Sequence, residues 1–195
     1  MTRFFDIFFS FLGLLILTPV FLIISTLVFC TSRGAVLYTQ KRIGKNDRDF
    51  SLFKFRTMYA HADKKGLLTV GEKDNRITKV GRFLRKYKLD ELPQLWNVLK
   101  GDMSLVGPRP EVRKYVALYN DEQKLILTVK PGITDYASVK FKDENRLLAL
   151  SDNPEKHYIE VIMPQKLQLS FLYVNNHSLK EYFKILLLTA KTVFF

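Results

Sequence analysis

The chain has 195 residues, enough for one domain with a small appendage. Hydrophobic residues make up 47% and charged residues 26%, which excludes a disordered or collagen-like chain, and a single cysteine excludes a disulfide framework or a cysteine-rich metal site. The 31 Lys and Arg exceed the 19 Asp and Glu, so the formal net charge is +12. Only Arg3 and Asp6 carry charge before residue 31, and their charges cancel, so the whole positive excess lies in residues 31–195. Such a surface attracts anionic lipid, nucleic acid or phosphorylated small molecules, and charge alone does not choose among them.

The amino-terminal segment is a long apolar run, because residues 7–30 contain no charged side chain. As a helix it is about 36 Å long, against roughly 30 Å for a hydrocarbon core. It is too long for a signal peptide, and no small-x-small cleavage site follows it. Pro19 lies midway along the run, and basic residues flank both ends (Arg3 before, and Arg33, Lys41 and Arg42 after). Basic residues at both ends suit a re-entrant helix-break-helix with its break at Thr18 and Pro19, and a single-pass anchor with a tolerated proline fits the pattern equally well.

The next segment resembles a β-hairpin followed by a basic stripe. Residues 35–42 and 50–58 are rich in aromatic and β-branched residues, and 44–47 are typical of the turn between them. Residues 59–75 are polar and indicate a loop or a short helix. In residues 76–88 a basic residue recurs at every third position, namely Arg76, Lys79, Arg82 and Arg85. If this segment is helical, the pattern predicts either a basic stripe that binds an anion or an ordinary solvent-exposed helix face.

A short amphipathic helix is predicted next, because apolar residues follow helical spacing at Leu92, Leu95, Trp96 and Leu99. Pro93 suits its first turn and Gly101 its end. Asp90 suits the cap position, with Glu91 as a first-turn acid. A helix N-terminus also favours anions, so this pair of acids has either a capping or a chemical role.

The rest of the chain contributes one rigid loop and two further predicted elements. Arg109 lies between two prolines in the loop 101–111, which fixes its backbone and suits a guanidinium that grips a phosphate or carboxylate. Residues 133–139 predict a strand after the loop at 130–132. A capping box from Ser178 to Glu181 opens a last helix whose basic and apolar residues, through Val193 and Phe194, fit either the lipid headgroups or core packing.

Several segments together resemble the bacterial sugar transferase family, the monotopic phosphoglycosyl transferases. Their order matches, their spacing is close, and the break at 18–19 lies where this family has its re-entrant helix. The motifs are Lys41-Arg42-Ile43-Gly44, Phe53-Lys54-Phe55-Arg56-Thr57-Met58, Gly81-Arg82-Phe83-Leu84-Arg85, Leu89-Asp90-Glu91-Leu92-Pro93-Gln94-Leu95, Asn97-Val98-Leu99-Lys100-Gly101-Asp102-Met103-Ser104 and Val106-Gly107-Pro108-Arg109-Pro110.

The resemblance implies an α/β fold, namely a small membrane-associated globular domain with amphipathic interfacial helices. Residues 1–32 would form the re-entrant membrane helix and 33–195 the catalytic domain on the cytoplasmic face of the bacterial inner membrane. It implies transfer of a phosphosugar from a UDP-sugar to polyprenol phosphate with release of UMP, as the first membrane step of glycan assembly. The expected partners are therefore these two substrates and membrane lipid, without nucleic acid, and a homodimer is left open.

The resemblance also assigns roles to residues of the motifs. Asp90 is implied as the nucleophile that forms a phosphosugar-aspartyl intermediate, and Glu91 as its catalytic partner. Either carboxylate is implied to hold Mg²⁺, which would neutralise the diphosphate. Four cations match family positions that line the phosphate and nucleotide site: Lys54, Arg56, Arg85 and Arg109.

Two departures from the family pattern bear on specificity. The loop that often reads Arg-Pro-Gly-x-Thr-Gly is Lys130-Pro131-Gly132-Ile133-Thr134-Asp135-Tyr136 here, which suggests a different sugar pocket. Residues 142–163 match only loosely, so acceptor or sugar specificity is expected there.

Two other function classes compete with this interpretation. A membrane-anchored glycosyltransferase that releases UDP would use Asp47-Arg48-Asp49 as a metal motif, although acids are common in such turns. A non-catalytic membrane module that binds polyanions would explain the charge, but no nucleic-acid-binding motif is present. Cys30 is expected to be a buried free thiol, and the three histidines (His61, His157 and His177) lack metal-ligand spacing.

Overall fold

A computed structural model describes residues 2–60, 62, 70–71 and 74–194. Most of the segment 59–75, for which a loop or short helix was predicted, lies outside these residues, as does His61. The described chain combines helices with two small sheets, which confirms the prediction of a mixed fold. Its helices are α1 (Thr2–Thr31), α2 (Lys79–Lys86), α3 (Gln94–Lys100), α4 (Arg113–Val116), α5 (Asp121–Lys124), α6 (Tyr136–Lys140), α7 (Glu144–Ala149), α8 (Pro154–His157), α9 (Met163–Val174) and α10 (Leu179–Phe194).

Helix α1 is the one helix in the described part of the chain that is long and apolar enough to cross a membrane. The sequence predicts a break at Thr18 and Pro19, but helical structure continues through both. Proline removes only one amide donor, and the Thr18 hydroxyl donates to the Leu14 carbonyl at 2.8 Å, which supports the turn before it. Cys30 is exposed at the end of this helix rather than buried as expected.

One narrow stripe of α1 packs on the rest of the chain, and the remaining surface is exposed and apolar. The stripe recurs with helical spacing at Asp6, Ser10, Ile24 and Val28, all of which are buried. Midway along it, a Cβ added to Gly13 would lie 3.3 Å from the side chain of Leu95. Because these contacts run the length of the helix, α1 lies along the domain.

Two polar side chains fasten the start of α1. Arg3 donates to the carbonyl of Val98 at 2.5 Å and to that of Leu99 at 2.8 Å, so it occupies the C-terminal end of α3. The buried Asp6 Oδ1 accepts hydrogen bonds from three donors, at 2.9–3.0 Å: Ser104 Oγ, the Leu105 amide and the Tyr182 hydroxyl. The membrane-type helix is therefore tied by hydrogen bonds to the core of the domain.

We expect Asp6→Ala to lower the free energy of unfolding by about 3 kcal/mol, because it leaves several buried donors without an acceptor. For a chain of this size the melting temperature would fall by about 6–12 °C, measured by thermal unfolding in detergent. Asp121→Ala, at an exposed i,i+3 ion pair with Lys124, is the control and should leave the melting temperature almost unchanged. An equal shift in both variants would contradict the account of this junction.

The predicted hairpin is confirmed. Strands β1 (Leu37–Ile43) and β2 (Asp49–Phe55) are antiparallel, with Leu37 opposite Phe55 and Ile43 opposite Asp49. Asn46 and Asp47 in the connecting turn have φ of 56° and 59°, a conformation that Asn and Asp tolerate better than most residues. The hairpin carries Lys54 on its second strand.

The second sheet pairs β3 (Ser104–Val106) with β4 (Gly132–Thr134) in parallel. The strand predicted for 133–139 is therefore mostly wrong, since β4 ends at Thr134 and α6 begins at Tyr136. Asp135 explains the change, because its buried carboxylate caps α6 by accepting from the Ser138 amide at 2.7 Å.

Helix α10 packs on the core with one face and exposes apolar residues on another. Tyr182 and Ile185 are fully buried, whereas Leu187 is 72% exposed. Half of the predicted capping box forms: the Glu181 amide donates to Ser178 Oγ at 3.3 Å, while the Glu181 carboxylate pairs with Lys184. The side chains of Val193 and Phe194 lie outside the described part of the structure.

Candidate active site

The two adjacent acids lie on a short 3-10 turn just before α3. The turn spans Leu89–Glu91 and follows Lys88, whose φ of 56° reverses the chain after α2. Pro93, not Asp90, occupies the N-cap position of α3, and within the described residues no side-chain capping hydrogen bond forms there. The capping interpretation of Asp90 is therefore wrong, and another role is needed for a carboxylate at this place.

Two cations hold the carboxylate of Glu91. Lys54 Nζ lies 2.8 Å from Oε1, and the Arg109 guanidinium reaches both oxygens, at 2.5 Å to Oε1 and 3.2 Å to Oε2. Although burial opposes ionisation, these charges hold the pKa of Glu91 well below its usual range. The same contact raises the pKa of Arg109. Glu91 is therefore a fixed anion that holds Lys54 and Arg109 in place, and the charge of Lys54 also acts on Asp90.

Asp90 itself is buried but carries no comparable contacts. Its residue is 7% exposed, and within the described residues its carboxylate accepts no hydrogen bond. Burial raises the pKa of Asp90, while the positive charge of Lys54 opposes that rise. A desolvated carboxylate without hydrogen bonds, next to positive charge, is well suited to act as a nucleophile toward an anionic phosphorus centre.

Arg85 is the third cation directed at the acids. Its Nε donates to Thr57 Oγ1 at 2.8 Å, and its positive charge lowers the pKa of Asp90. The same Thr57 accepts the Thr78 amide at 3.0 Å through its carbonyl, and a Cβ on Gly81 would lie 2.0 Å from that oxygen. The start of α2 is thus pressed against the end of β2, which fixes the place of Arg85.

Of the four predicted phosphate-binding cations, three gather around the acids and one does not. Arg56 is buried, and one nitrogen of its guanidinium donates to the carbonyls of Val28 at 3.3 Å and Ser32 at 2.6 Å. It thereby binds the end of α1, much as Arg3 binds the end of α3. Its part in nucleotide binding stays a prediction.

The described residues contain no group of three or more His, Cys, Asp or Glu side chains that could hold a metal ion. The acids at 90 and 91 therefore offer at most a two-carboxylate site. Such a donor set fits Mg²⁺, which keeps several waters and takes its remaining ligands from substrate phosphates.

A model of the family described as "Bacterial sugar transferase" matches residues 1–195. The chain belongs to the bacterial sugar transferase family. A relative in Aeromonas hydrophila, named UDP-N-acetylgalactosamine-undecaprenyl-phosphate N-acetylgalactosaminephosphotransferase, is 40% identical over 137 residues, which are 69% of this chain and 32% of that protein. The uncharacterized sugar transferase EpsL of Bacillus subtilis (strain 168) is 41% identical over 81% of this chain and 69% of its own length.

A third relative, from Klebsiella pneumoniae, is named UDP-glucose:undecaprenyl-phosphate glucose-1-phosphate transferase. It is 35% identical over 95% of this chain, which corresponds to 38% of its own length. This bacterial sugar transferase thus spans about a third of the Aeromonas hydrophila and Klebsiella pneumoniae relatives, and more than two thirds of EpsL.

Asn97 is a site-supporting residue that the sequence did not identify as functional. It is fully buried; its Nδ2 donates to the Ser51 carbonyl at 2.8 Å, and its Oδ1 accepts the Phe53 amide at 3.0 Å. It thereby joins the helix that follows Asp90 to the strand that carries Lys54. The sequence feature that could have identified Asn97 is that it is a polar residue within the otherwise apolar run 95–99.

The acids of the competing metal motif are engaged elsewhere. Asp47 and Asp49 are exposed, and both accept from Arg113, with Oδ1 distances of 2.6 Å and 3.1 Å. They form a surface ion-pair cluster at the hairpin turn. This arrangement gives no support to a separate metal site there.

The departure at Asp135 and Tyr136 has a structural explanation in this sugar transferase. Besides capping α6, Asp135 accepts from Ser170 Oγ at 2.6 Å, which joins α6 to α9. The Tyr136 hydroxyl donates to the Glu181 carboxylate on α10. Both side chains therefore connect helices, and their suggested effect on the sugar pocket stays a prediction.

Lys54→Met should move the acid limb of the activity profile to higher pH. Lys54 lowers the pKa of Asp90, so without its charge that pKa rises further and the nucleophile ionises only at higher pH. We also expect an overall loss of about 10²-fold in kcat/KM. The measurement is kcat/KM for nucleotide release against pH, with Lys114→Met as the control. A limb that stays in place or moves to lower pH would contradict this assignment.

Proposed function

We propose that this chain transfers a sugar 1-phosphate from a UDP-sugar to polyprenol phosphate, undecaprenyl phosphate in bacteria, and releases UMP. The observation that carries the proposal is the contrast within the acid pair. Glu91 is held by Lys54 and Arg109, whereas Asp90 is buried, free of hydrogen bonds within the described residues and surrounded by cations. A phosphoryl donor brings negative charge that these cations would balance.

The reaction proceeds in two displacements at the sugar-linked phosphorus. In the first, an Asp90 carboxylate oxygen forms a bond to this phosphorus while the bridging P–O bond to UMP breaks. In the second, an oxygen of the acceptor phosphate forms a bond to the same phosphorus, the aspartyl bond breaks, and the carboxylate of Asp90 is restored. No redox step is involved, and each displacement forms one P–O bond and breaks one.

The cations of the site give each displacement its electrostatic support. Arg109 and Lys54 already lie beside the acids, fixed by Glu91, so they need no reorganisation when a diphosphate enters. Arg85, on α2, adds positive charge that favours the ionised form of Asp90. Together they offset the repulsion between an anionic nucleophile and an anionic substrate.

Asp90 and Glu91 are the residues that would hold Mg²⁺. When bound, the ion supplies positive charge that neutralises the diphosphate and the departing UMP. Both oxygens of Glu91 already contact cations. Binding of Mg²⁺ to Glu91 is therefore expected to require a rearrangement of its ion pair with Arg109.

The donor and acceptor classes follow from the names of the relatives. Those names specify UDP-N-acetylgalactosamine or UDP-glucose as donor and undecaprenyl phosphate as acceptor, so both donors belong in the first panel. The transfer would begin a lipid-linked glycan, such as an exopolysaccharide or lipopolysaccharide precursor. The homodimer stays a prediction.

We further propose that α1 is re-entrant, so that both of its ends lie on the cytoplasmic face of the bacterial inner membrane. A straight helix of this length extends about 45 Å and would place its ends on opposite sides of a bilayer. Yet Arg3 contacts the end of α3, and Arg56 contacts the end of α1, within one domain. Thr18 and Pro19 lie on the exposed surface between these two attachments.

The single cysteine makes the topology testable. Cys30 is exposed at the end of α1, and a Thr2→Cys variant in a Cys30→Ser background reports the other end. In inside-out and right-side-out membrane vesicles, a re-entrant helix predicts that a membrane-impermeant maleimide labels both positions only from the cytoplasmic side. Labelling of the two positions from opposite sides would establish a single-pass anchor instead.

The reaction is tested by identifying the released nucleotide. Detergent-solubilised protein is given undecaprenyl phosphate, Mg²⁺ and either UDP-N-acetylgalactosamine or UDP-glucose, extended to other UDP-sugars. Acceptor-dependent UMP from at least one donor is the expected result. Release of UDP would favour the glycosyltransferase, and no nucleotide release from the whole panel would favour the polyanion-binding module.

A further inference from the structure

The loop that carries Arg109 continues into a carboxylate that the proposed chemistry does not use. Glu111 follows two residues later, and its side chain is 14% exposed. The Tyr158 hydroxyl donates to its Oε1 at 2.5 Å, and the Val112 amide donates to its Oε2 at 3.0 Å. Arg42 Nη1 lies 3.5 Å from the same Oε2. Both oxygens of Glu111 are therefore engaged, and its carboxylate has little freedom to rotate.

Glu111 is ionised although it lies beside the apolar core. Ile43 and Tyr158 belong to the buried cluster there. Burial opposes the charge of Glu111, but the positive charges of Arg42 and Lys166, together with its hydrogen bonds, hold its pKa below the usual range. Burial also raises the pKa of Tyr158, so its hydroxyl keeps the proton that it donates. Replacing a buried ion pair by apolar residues is often neutral for stability, so stability alone does not explain this pair.

Arg42 joins the same loop to the hairpin. Its Nη1 donates to the Pro110 carbonyl at 3.0 Å, and the neighbouring Ile43 amide donates to the Glu111 carbonyl at 2.9 Å. Gln40 Oε1 accepts from Arg42 Nε at 3.0 Å and from Nη2 at 2.8 Å, which fixes the other side of the guanidinium. The guanidinium is therefore held between strand β1 and the loop, and it contacts both the backbone at Pro110 and the side chain of Glu111.

Tyr158 reaches Glu111 from a π-helical turn. The turn spans Tyr158–Ile162 and joins α8 to α9. Single π turns of this kind are frequent at functional sites. The ring of Tyr158 is fully buried, and the Lys166 ammonium lies 5.2 Å from its centroid. The hydroxyl is thus held at one place by packing on both the apolar core and α9.

We propose that Glu111 is a positioning residue that acts through Arg109. This inference rests on the proposed function, in which the Arg109 guanidinium balances the charge of the diphosphate. The loop is fixed after Arg109 by the contacts of Pro110 and Glu111, and before it by the Gly132 amide, which donates to the Pro108 carbonyl at 2.9 Å. Arg109 therefore lies between two attached ends, and its side chain extends from a backbone that cannot shift.

The contact with Glu91 alone would not keep Arg109 in place during the reaction. Glu91 holds the guanidinium in the structure, but a diphosphate or Mg²⁺ competes for these same groups. When that contact weakens, Arg109 has to stay directed at the phosphates. The contacts of Glu111 do not involve Glu91, so they persist when substrate enters.

The test is a double-mutant cycle made of the original chain, Glu111→Gln, Arg109→Ala and the double variant. Its two readouts are kcat/KM for UMP release and the Kd for UDP, measured by calorimetry on the detergent-solubilised full chain. Glu111→Gln keeps the shape of the side chain and removes its charge. We expect it to lower kcat/KM by about tenfold and to weaken UDP binding by about fivefold. In the Arg109→Ala background both effects should shrink to less than about twofold.

A residue that only stabilised the fold would lower both quantities by the same factor in either background. Tyr158→Phe is the second variant, because it removes one hydroxyl and no charge. We expect a loss of about threefold in kcat/KM, again absent in the Arg109→Ala background. It decides the question by itself if the Glu111→Gln protein does not fold. The matched control is Glu155→Gln, at an exposed ion pair with Lys114, and it should stay within about twofold.

Three results would overturn the inference: unchanged kcat/KM and Kd in the folded Glu111→Gln protein, a loss that persists in full when Arg109 is alanine, or an equal loss in Glu155→Gln. The two readouts separate this inference from the reaction. UMP release by the original chain without coupling between residues 109 and 111 would remove the inference alone. No release from any UDP-sugar, with coupling retained in the Kd for UDP, would remove the proposed reaction alone.

Discussion

Asp90→Asn should reduce UMP release by about 10⁴-fold or more, because the amide cannot act as a nucleophile toward phosphorus. The fold should survive, since the Asp90 carboxylate accepts no hydrogen bond within the described residues and an amide of the same shape fits the same space. We expect the free energy of unfolding to change by about 1 kcal/mol or less. The measurement is acceptor-dependent UMP release, with thermal unfolding on the same samples.

A matched acid elsewhere distinguishes lost chemistry from lost charge. Asp121→Asn changes the net charge equally at an exposed ion pair on α5 and should keep activity within about twofold. If Asp90→Asn retained a tenth of the activity or more, a direct transfer without an aspartyl nucleophile would be favoured. An unfolded Asp90→Asn protein would show that the carboxylate stabilises the fold.

Arg109→Lys is the second large effect we expect, with a loss of about 10²-fold or more in kcat/KM. The guanidinium fork contacts both oxygens of Glu91, and a lysine ammonium can reach only one of them while keeping the same charge. The carboxylate would then rotate, and its second oxygen would lose its partner. The flanking prolines hold the backbone of residue 109 in place, so the change is confined to the side chain.

Arg113→Lys is the control for this substitution, because Arg113 makes its contacts with the exposed carboxylates of Asp47 and Asp49. Its kcat/KM should stay within about twofold of the original value. Equal losses in both variants would mean that a general property of arginine, and not the fork on Glu91, explains the effect. The same comparison tests the metal motif at the hairpin turn, which predicts the opposite order of effects.

The sequence predicted the elements whose signals are strong and local, but it did not predict the helices from α4 to α9. The hairpin, the helix at 79–86 and the end of α3 at Gly101 were identified from residue type and spacing, whereas Lys54 and Arg85 were assigned from the family resemblance. The ordered motifs also led to the correct family. Within the site, Arg109 was indicated by its own sequence context, because the prolines on either side fix its backbone.

What could not be predicted depends on long-range packing. The apolar pattern at Leu92, Leu95, Trp96 and Leu99 suggested the buried face of α3, yet Asn97 and Val98 are fully buried and Trp96 is 55% exposed. The reason is that α3 packs against both β2 and α1, so these distant elements, and not the apolar spacing of α3 itself, decide which of its residues are buried. Arg56 donates to the carbonyls at the end of α1, a contact that its motif did not indicate, and its part in nucleotide binding stays a prediction.

The most direct test of the central claim is a single turnover without acceptor. The protein is mixed with a UDP-sugar that supports activity, and both UMP and the intact protein mass are measured. The account predicts one UMP per protein and a mass increase of one phosphosugar, located on Asp90 by peptide mapping and removed when undecaprenyl phosphate is added. UMP that appears only with acceptor, from a protein of unchanged mass, would contradict a covalent role for Asp90.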